Sequence, residues 1–158
     1  MKKNNEHQKR ILEQFTKQAI PFAQLSGHYS SMEMLLAISE VSQTDNVLDV
    51  ACGPGLVAIE FAKKSNHVTG IDITKKMIEE ANKKQENEKI TNVTWEIGDV
   101  TSLPYLDNSF SIVVTRYSFH HFIEPEIVLN EMIRVCKPNG KIMVIDVTVP
   151  KEKNEMFN

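Results

Sequence analysis

Val47-Leu48-Asp49-Val50-Ala51-Cys52-Gly53-Pro54-Gly55 decides how this chain folds. Its first five residues are a short run rich in β-branched side chains. Gly53-Pro54-Gly55 breaks the run, and residues 56–64 follow with helical character. A strand, a glycine turn and a helix in that order let a ligand approach both the backbone and the helix N-terminus. Asp49 is the anomaly. A central strand buried on both faces leaves a carboxylate without solvent, so a positive group is expected beside it.

Outward from this stretch the alternation returns. Strands are predicted over 67–73, 93–99, 110–117 and 141–149, with helices over 74–87 and 126–136. Alternating βα units imply an α/β fold: a Rossmann-like, doubly wound, mainly parallel sheet with helices on both faces. Thr74 is placed to cap the helix that follows it. Lys75/Glu79, Lys76/Glu80, Glu79/Lys83 and Glu80/Lys84 form i,i+4 pairs on a solvated face. Lys137-Pro138-Asn139-Gly140 stops the last helix, since proline cannot continue it and Asn-Gly favours positive φ. Before the sheet, residues 4–20 read as a helix with Ile11, Leu12 and Phe15 on one face, ending before Pro21. A second helix, capped by Ser30 or Ser31, carries Met32, Leu35, Leu36 and Ser39 toward Val41.

Composition narrows the class. A chain of 158 residues is long enough for one domain with a real core, which argues against both a disulfide-stapled miniprotein and a two-domain enzyme. Apolar and charged fractions of 41% and 25% are ordinary for a soluble globular protein. Lys plus Arg number 18 against 21 acids, so there is no electrostatic footprint for a nucleic-acid backbone. MKKNN could open a signal peptide, but EHQKRILEQFTKQ has no apolar run of the needed length. Apolar runs such as 142–145 fall far short of the roughly 20 residues of a membrane span. Cys52 and Cys136 lack CxxC spacing, which fits a reducing, cytoplasmic setting and gives no redox motif or zinc site.

Gly53-Pro54-Gly55-Leu56-Val57-Ala58 satisfies GxGxxA, and Asp72 lies 19 residues beyond Gly53, so a nicotinamide-dependent oxidoreductase competes for this motif. Spacing alone leaves both readings open. A dinucleotide would set its pyrophosphate against Asp49, whereas an amino-acid-bearing cofactor brings an ammonium group, so Asp49 favours S-adenosylmethionine.

The stretches VLDVACGPG at 47–55, VTGIDIT at 68–74, GDVTSLPYLDNSF at 98–110, RYSFHHF at 116–122 and RVCKPNGKIMVID at 134–146 carry a family likeness. Over residues 44–147 the chain resembles the class I S-adenosylmethionine-dependent methyltransferases, especially the branch like ubiquinone/menaquinone-biosynthesis C-methyltransferases. The resemblance implies methyl transfer to a small-molecule acceptor, at a carbon or oxygen of a phenol- or quinol-like metabolite, with S-adenosylhomocysteine as product. It implies that the Gly53 to Gly55 turn, with Ala51 and Cys52, wraps the methionine part of the cofactor and that Asp49 lies toward its ammonium. Asp72 is then expected to accept from both ribose hydroxyls, with Ile73 and Met77 on the adenine. Asp99, beside Gly98, would accept from the adenine amino group, and the Val100 amide would read a ring nitrogen. Arg116 to Phe122 would reach the methionine end. On this likeness the chain divides into an N-terminal helical lid over 1–40, a cofactor-binding methyltransferase domain over 41–150 and a polar tail over 151–158.

Methyl transfer is a displacement at a sulfonium-bound carbon, so the protein mainly aligns the reactants. His120 and His121 are the candidate bases if one is needed. Being adjacent they should point in different directions, one packing inward on a backbone partner and the other lining the pocket mouth. They lack metal-ligand spacing, and no metal site is expected. The likeness assigns acceptor recognition to the N-terminal helices, here with Phe15, Phe22, His28 and Tyr29, and to elements after the fifth strand. Those later elements, a helix and a closing antiparallel hairpin, are missing: the fifth strand runs out at Val149 and Pro150. KIMVIDVTV would then be an apolar edge able to pair with another chain, such as a second copy. The chain is accordingly expected to be shortened, and a cofactor-binding module without turnover is the alternative reading.

Overall fold

Strand β1 (Asn46–Val50) sits at the centre of the molecule, with Val47, Leu48 and Val50 fully buried. The structure, a computed structural model, describes residues 28–147, with side chains from residue 31 onward. In chain order come α1 (His28–Ser39), β1, α2 (Leu56–Ala62), β2 (His67–Asp72), α3 (Lys75–Asn87), β3 (Val93–Ile97), β4 (Phe110–Arg116), α4 (Pro125–Val135) and β5 (Cys136–Ile145). The sheet runs β3-β2-β1-β4-β5 with every pairing parallel. From β1 the chain winds outward through β2 and β3, then crosses back to β4 on the other side. That reversal opens a crevice at the carboxyl ends of β1 and β4, where open α/β sheets take their ligands.

Two apolar cores cover the faces of the sheet. On one, Val47 and Val68 pack with Ile59 and Phe61 of α2 and with Met32 and Leu35 of α1. On the other, Leu48, Val50 and Val113 pack with Val128, Met132 and Val135 of α4. Alternate residues of β1 thus serve opposite cores, the period of two that a strand imposes. The face of α1 read from the sequence is the buried one, but the helix starts at His28. Ser30 and Ser31 therefore lie inside its first turn and do not cap it.

Three local expectations are corrected. Thr74 flanks α3 without a side-chain cap; its amide donates instead to Asp72 Oδ1 at 2.8 Å. Of the four charge pairs expected on α3, Lys76–Glu80 forms at 3.5 Å. Elsewhere Lys83 turns to Glu80 at 3.1 Å and Lys84 to Glu88 at 2.8 Å. The 137–140 turn survives as an irregularity within β5: Phe110 pairs with Cys136 and Ile112 with Lys141, while Asn139 takes φ 64°. β5 is the sheet edge, with Ile142 and Val144 partly exposed and Met143 and Ile145 on the core. The helix expected over 4–20, Phe15 and Phe22, the tail over 151–158 and the end of the fifth strand at Val149 lie outside the described residues. Among the described residues no helix is long and apolar enough to cross a membrane.

Candidate active site

The crevice is built from four strand ends. Asp49 from β1, the Ala51-Cys52-Gly53 turn, Asp72 and Ile73 after β2, Met77 of α3, Asp99 and Val100 after β3, and Arg116 of β4 all line one cleft. Gly55 and Gly98 do not line it. Gly55, at φ 86°, begins α2, and a Cβ there would stand 2.6 Å from Trp95 Cη2. Gly98 follows β3, and its amide donates to Asp72 O at 3.0 Å. The turn itself is left-handed at Ala51 and Gly53, φ 55° and 54°, and is tied to β2 by the Cys52 amide on Ile71 O at 3.0 Å.

Asp72 is the anchor of that turn. Its Oδ2 accepts from the Gly53 amide at 2.9 Å and its Oδ1 from the Thr74 amide at 2.8 Å. Burial raises its carboxyl above the usual range against the opposing pull of those two amides. Each oxygen still has a second lone pair for a hydroxyl donor. Asp99 closes on its own turn, its Oδ1 accepting from the Thr101 amide at 2.9 Å and hydroxyl at 2.8 Å.

Asp49 is different. It is 1% exposed, and its Oδ2 is buried with no hydrogen-bond partner. Burial pushes its carboxyl up to about 8; Arg116 and the Ala58 amide pull the other way, and the Asp72 charge adds to the rise. The positive neighbour expected from the sequence is thus Arg116, which tempers the carboxylate without satisfying it.

Arg116 is held from the far side. Its Nη1 donates to Ser31 Oγ at 3.0 Å, the Tyr117 hydroxyl donates to the same oxygen at 2.9 Å, and the guanidinium lies 5.0 Å from the Tyr117 ring centre. Ser31 therefore clasps α1 to the end of β4. Ser31→Ala deletes these two hydrogen bonds at a partly buried site and is expected to cost about 1–2 kcal/mol. Urea denaturation checks this; a change within error would show that the clasp does not hold in solution.

The two histidines occupy a short 3-10 turn, Phe119–His121. They do not diverge: their ring centres are 3.9 Å apart. Only His121 lines the cleft. His120 neither packs inward nor bonds a backbone group through its ring; its Nδ1 lies 2.6 Å from Asp146 Oδ1 on the exposed side. Tyr117 and Phe122 fall within the 116–122 stretch expected at the cleft, whereas sequence reasoning missed Glu124, Asp146 and the role of Ser31. Asp146 gave no signal of a strand-end acid, because the strand predicted over 141–149 runs through it, whereas β5 ends at Ile145.

The uncharacterized methyltransferase YcgJ of Bacillus subtilis is 31% identical over 119 residues, which are 75% of this chain and 47% of that protein. Its crystal structure superposes with a TM-score of 0.76, covering 79% of this chain and 53% of that one. The ubiquinone/menaquinone biosynthesis C-methyltransferase UbiE of Ruegeria sp. (strain TM1040) is 36% identical over 103 residues, 63% of this chain and 41% of that protein. A crystal structure of a SAM-dependent methyltransferase from Aquifex aeolicus is 26% identical with a TM-score of 0.68, covering 77% of this chain and 70% of that one. The chain thus spans about half the length of the curated relatives it matches. A family model described as "Methyltransferase domain" matches residues 42–158. S-adenosylmethionine is the cofactor that this match implies, in place of a nicotinamide. The cleft fits it: a buried carboxylate oxygen lacks a protein partner, and a second carboxylate keeps lone pairs beside a turn with backbone φ near 55°. With an all-parallel sheet, this cleft and a match over most of its length, the chain belongs to the methyltransferase domain family.

Proposed function

We propose that the protein transfers a methyl group from S-adenosylmethionine to a small-molecule acceptor, at a carbon or oxygen of a phenol- or quinol-like ring. The observation that carries the reading is Asp49 Oδ2, a buried carboxylate oxygen on the cleft wall with no partner in the protein. An ammonium group answers it; a pyrophosphate would not. When bound, the cofactor supplies a methyl group activated on a sulfonium. The chain's own residues then bind and orient. Asp49 holds the ammonium, with the Ala51-Cys52-Gly53 turn around the methionine part and Arg116 setting the charge of that corner. Asp72 accepts from the ribose hydroxyls, Ile73 and Met77 cover the adenine, Asp99 accepts from its amino group and the Val100 amide donates to its ring. His121, Phe122 and Glu124, which also line the cleft, face the acceptor. His121 would take up the proton that the acceptor gives up, on an imidazole nitrogen. The names of relatives such as UbiE and demethylmenaquinone methyltransferase support a quinol acceptor.

Calorimetry against S-adenosylmethionine, S-adenosylhomocysteine and NADH tests the reading, with heat expected from the first two alone. Asp72→Ala removes the ribose acceptor and both amide contacts of the turn. Its affinity for S-adenosylmethionine is expected to fall by roughly 100-fold or more, two charge-assisted hydrogen bonds at about 1.5–3 kcal/mol each. Heat from NADH alone, or unchanged affinity in Asp72→Ala, would sink it.

A further inference from the structure

Asp146, a half-buried acid at a strand end, is unusually well connected. Its Oδ2 accepts from the His120 amide at 2.7 Å, and its Oδ1 accepts from the Val147 amide at 2.8 Å while lying 2.6 Å from His120 Nδ1. Burial pushes its carboxyl up, but the Val147 amide and then the His120 ring and amide outweigh it and hold it below the usual range. An ionised carboxylate only accepts, so His120 Nδ1 carries the proton of that contact and the ring's tautomer and plane are both set. The same carboxylate thus grips one residue by backbone and by ring.

What it grips is short and otherwise thinly held. The turn Phe119–His121 is three residues long, and its internal bonds are the His121 amide on Ser118 O at 2.9 Å and the Phe122 amide on Phe119 O at 3.2 Å. So brief a 3-10 segment has little stability of its own. Behind it, the Tyr117 amide donates to Ile145 O at 2.7 Å, so the ends of β4 and β5 meet under the turn. Neither His120 nor Asp146 lines the cleft, whereas His121, with its ring centre 3.9 Å from that of His120, does. At this exposure the pair adds little to global stability; its effect is on where the neighbouring ring stands.

We propose that Asp146 is a positioning residue for the methyl-transfer site: through His120 it fixes the turn that presents His121 to the cleft. The proposal deepens the function above and rests on it only where His121 meets the acceptor. Its test uses the full chain, histidine-labelled with ¹⁵N, with S-adenosylhomocysteine as the probe and diethyl pyrocarbonate as the reagent for neutral imidazole, read by mass spectrometry of the peptide bearing His121. In the wild type, the spectrum of His120 shows a protonated Nδ1, and saturating S-adenosylhomocysteine slows His121 modification by about fivefold or more, since both occupy one cleft. In Asp146→Asn the carboxamide can donate as well as accept, so the Nδ1–H tautomer is no longer required and its share falls. Affinity for the probe stays within about threefold, and protection of His121 falls below about twofold as the turn loosens. A merely structural residue would move the melting temperature and leave the tautomer and the protection unchanged; full protection in Asp146→Asn overturns the proposal. If the wild type does not bind S-adenosylhomocysteine, the proposed function fails. The positioning role is then judged by the ligand-free modification rate of His121, expected to rise about threefold in Asp146→Asn, an unchanged rate refuting it. Should Asp146→Asn not fold, His120→Ala carries the same readouts at His121.

Discussion

Replacing Asp49 by asparagine is expected to stabilise the ligand-free chain while removing its response to the cofactor. The carboxyl titrates near 3.8 in an ordinary setting and at about 8 here, chiefly because it is buried. Between those values the folded chain keeps a proton that the unfolded chain has released, so this group's contribution to stability falls as pH rises from about 4 to about 8. The full displacement sets an upper bound of roughly 6 kcal/mol, and relaxation around the ionised group reduces it. Asparagine keeps the shape and cannot ionise, though its buried amide needs partners of its own. The net gain near pH 8 is expected to be about 1–3 kcal/mol, or roughly 3–10 °C in Tm for a chain of this size. Thermal denaturation at pH 5 and pH 8 checks it. Other titrating groups are common to both proteins, so the difference between them isolates Asp49. The variant should gain on the wild type as pH rises, and a gap that does not widen would refute the assignment. In the wild type, binding an ammonium-bearing cofactor at pH 7 requires Asp49 to ionise and release about one proton. Calorimetry in two buffers of different ionisation enthalpy would show this, and Asp49→Asn should release none. Such a trade of stability for binding is what a buried, half-satisfied carboxylate at a functional site represents.

The second large effect belongs to Gly55, where substitution should fail for two separable reasons. Its φ of 86° is a backbone state that a side chain resists, and an added Cβ would stand 2.6 Å from Trp95 Cη2 and 3.1 Å from Ala81 Cβ. A non-glycine residue held there costs about 1–3 kcal/mol, and forcing a methyl into the packed contact costs about 1–3 more. Gly55→Ala is therefore expected to lose about 3 kcal/mol or more in urea denaturation, a large share of the stability of a domain this size. Trp95 is pinned by its Nε1 donating to Gln85 Oε1 at 2.7 Å, so the ring cannot simply swing away. Shrinking it separates the causes: on a Trp95→Phe background the Trp95 part of the penalty should vanish, and the φ part with the Ala81 contact should remain. Equal penalties on both backgrounds would refute the contact. Gly70 shows the same ring from the other side, since a Cβ there would stand 2.6 Å from Trp95 Cζ3. The indole thus fills the gap between β2 and the start of α2, which sets how closely the glycine turn approaches the sheet.

Much of the cleft was legible because its residues sit at fixed offsets from strand ends. Asp49, Asp72 and Asp99 could be placed on one edge once the alternation of strands and helices was read, and all three line the cleft. Gly53 followed from the turn. Gly55 and Gly98 were legible as special positions but not in their role, because what a glycine makes room for is set by the neighbour across the gap. For Gly55 that neighbour is Trp95, 40 positions away in the chain. The histidines were legible only in part. His121 alone of the two lines the cleft, but the rings stay 3.9 Å apart, and His120 meets Asp146, on the next strand's end, in place of a backbone partner. Thr74 reads as a cap from its position, yet its hydroxyl accepts no amide of the first turn of α3, while its own amide donates to the strand-end carboxylate of Asp72.

Local pattern alone therefore determined the order of elements, the parallel class of the sheet, the glycine turn and the acids on its edge. Each of these depends on propensities and periods that operate within a few residues. Only the tertiary structure decided which groups meet: Ser31 on Arg116 and Tyr117, Trp95 against Gly55 and Gly70, Asp146 on His120, and Asp49 left with an unpartnered oxygen beside Arg116. These contacts join residues on elements far apart in the chain, and they follow from strand order and register. With β1 lying between β2 and β4, Asp49 stands level with Gly70 on one side and Val114 on the other. Neither neighbour offers a side-chain hydrogen-bond donor to its carboxylate, and no local reading of the sequence contains that fact.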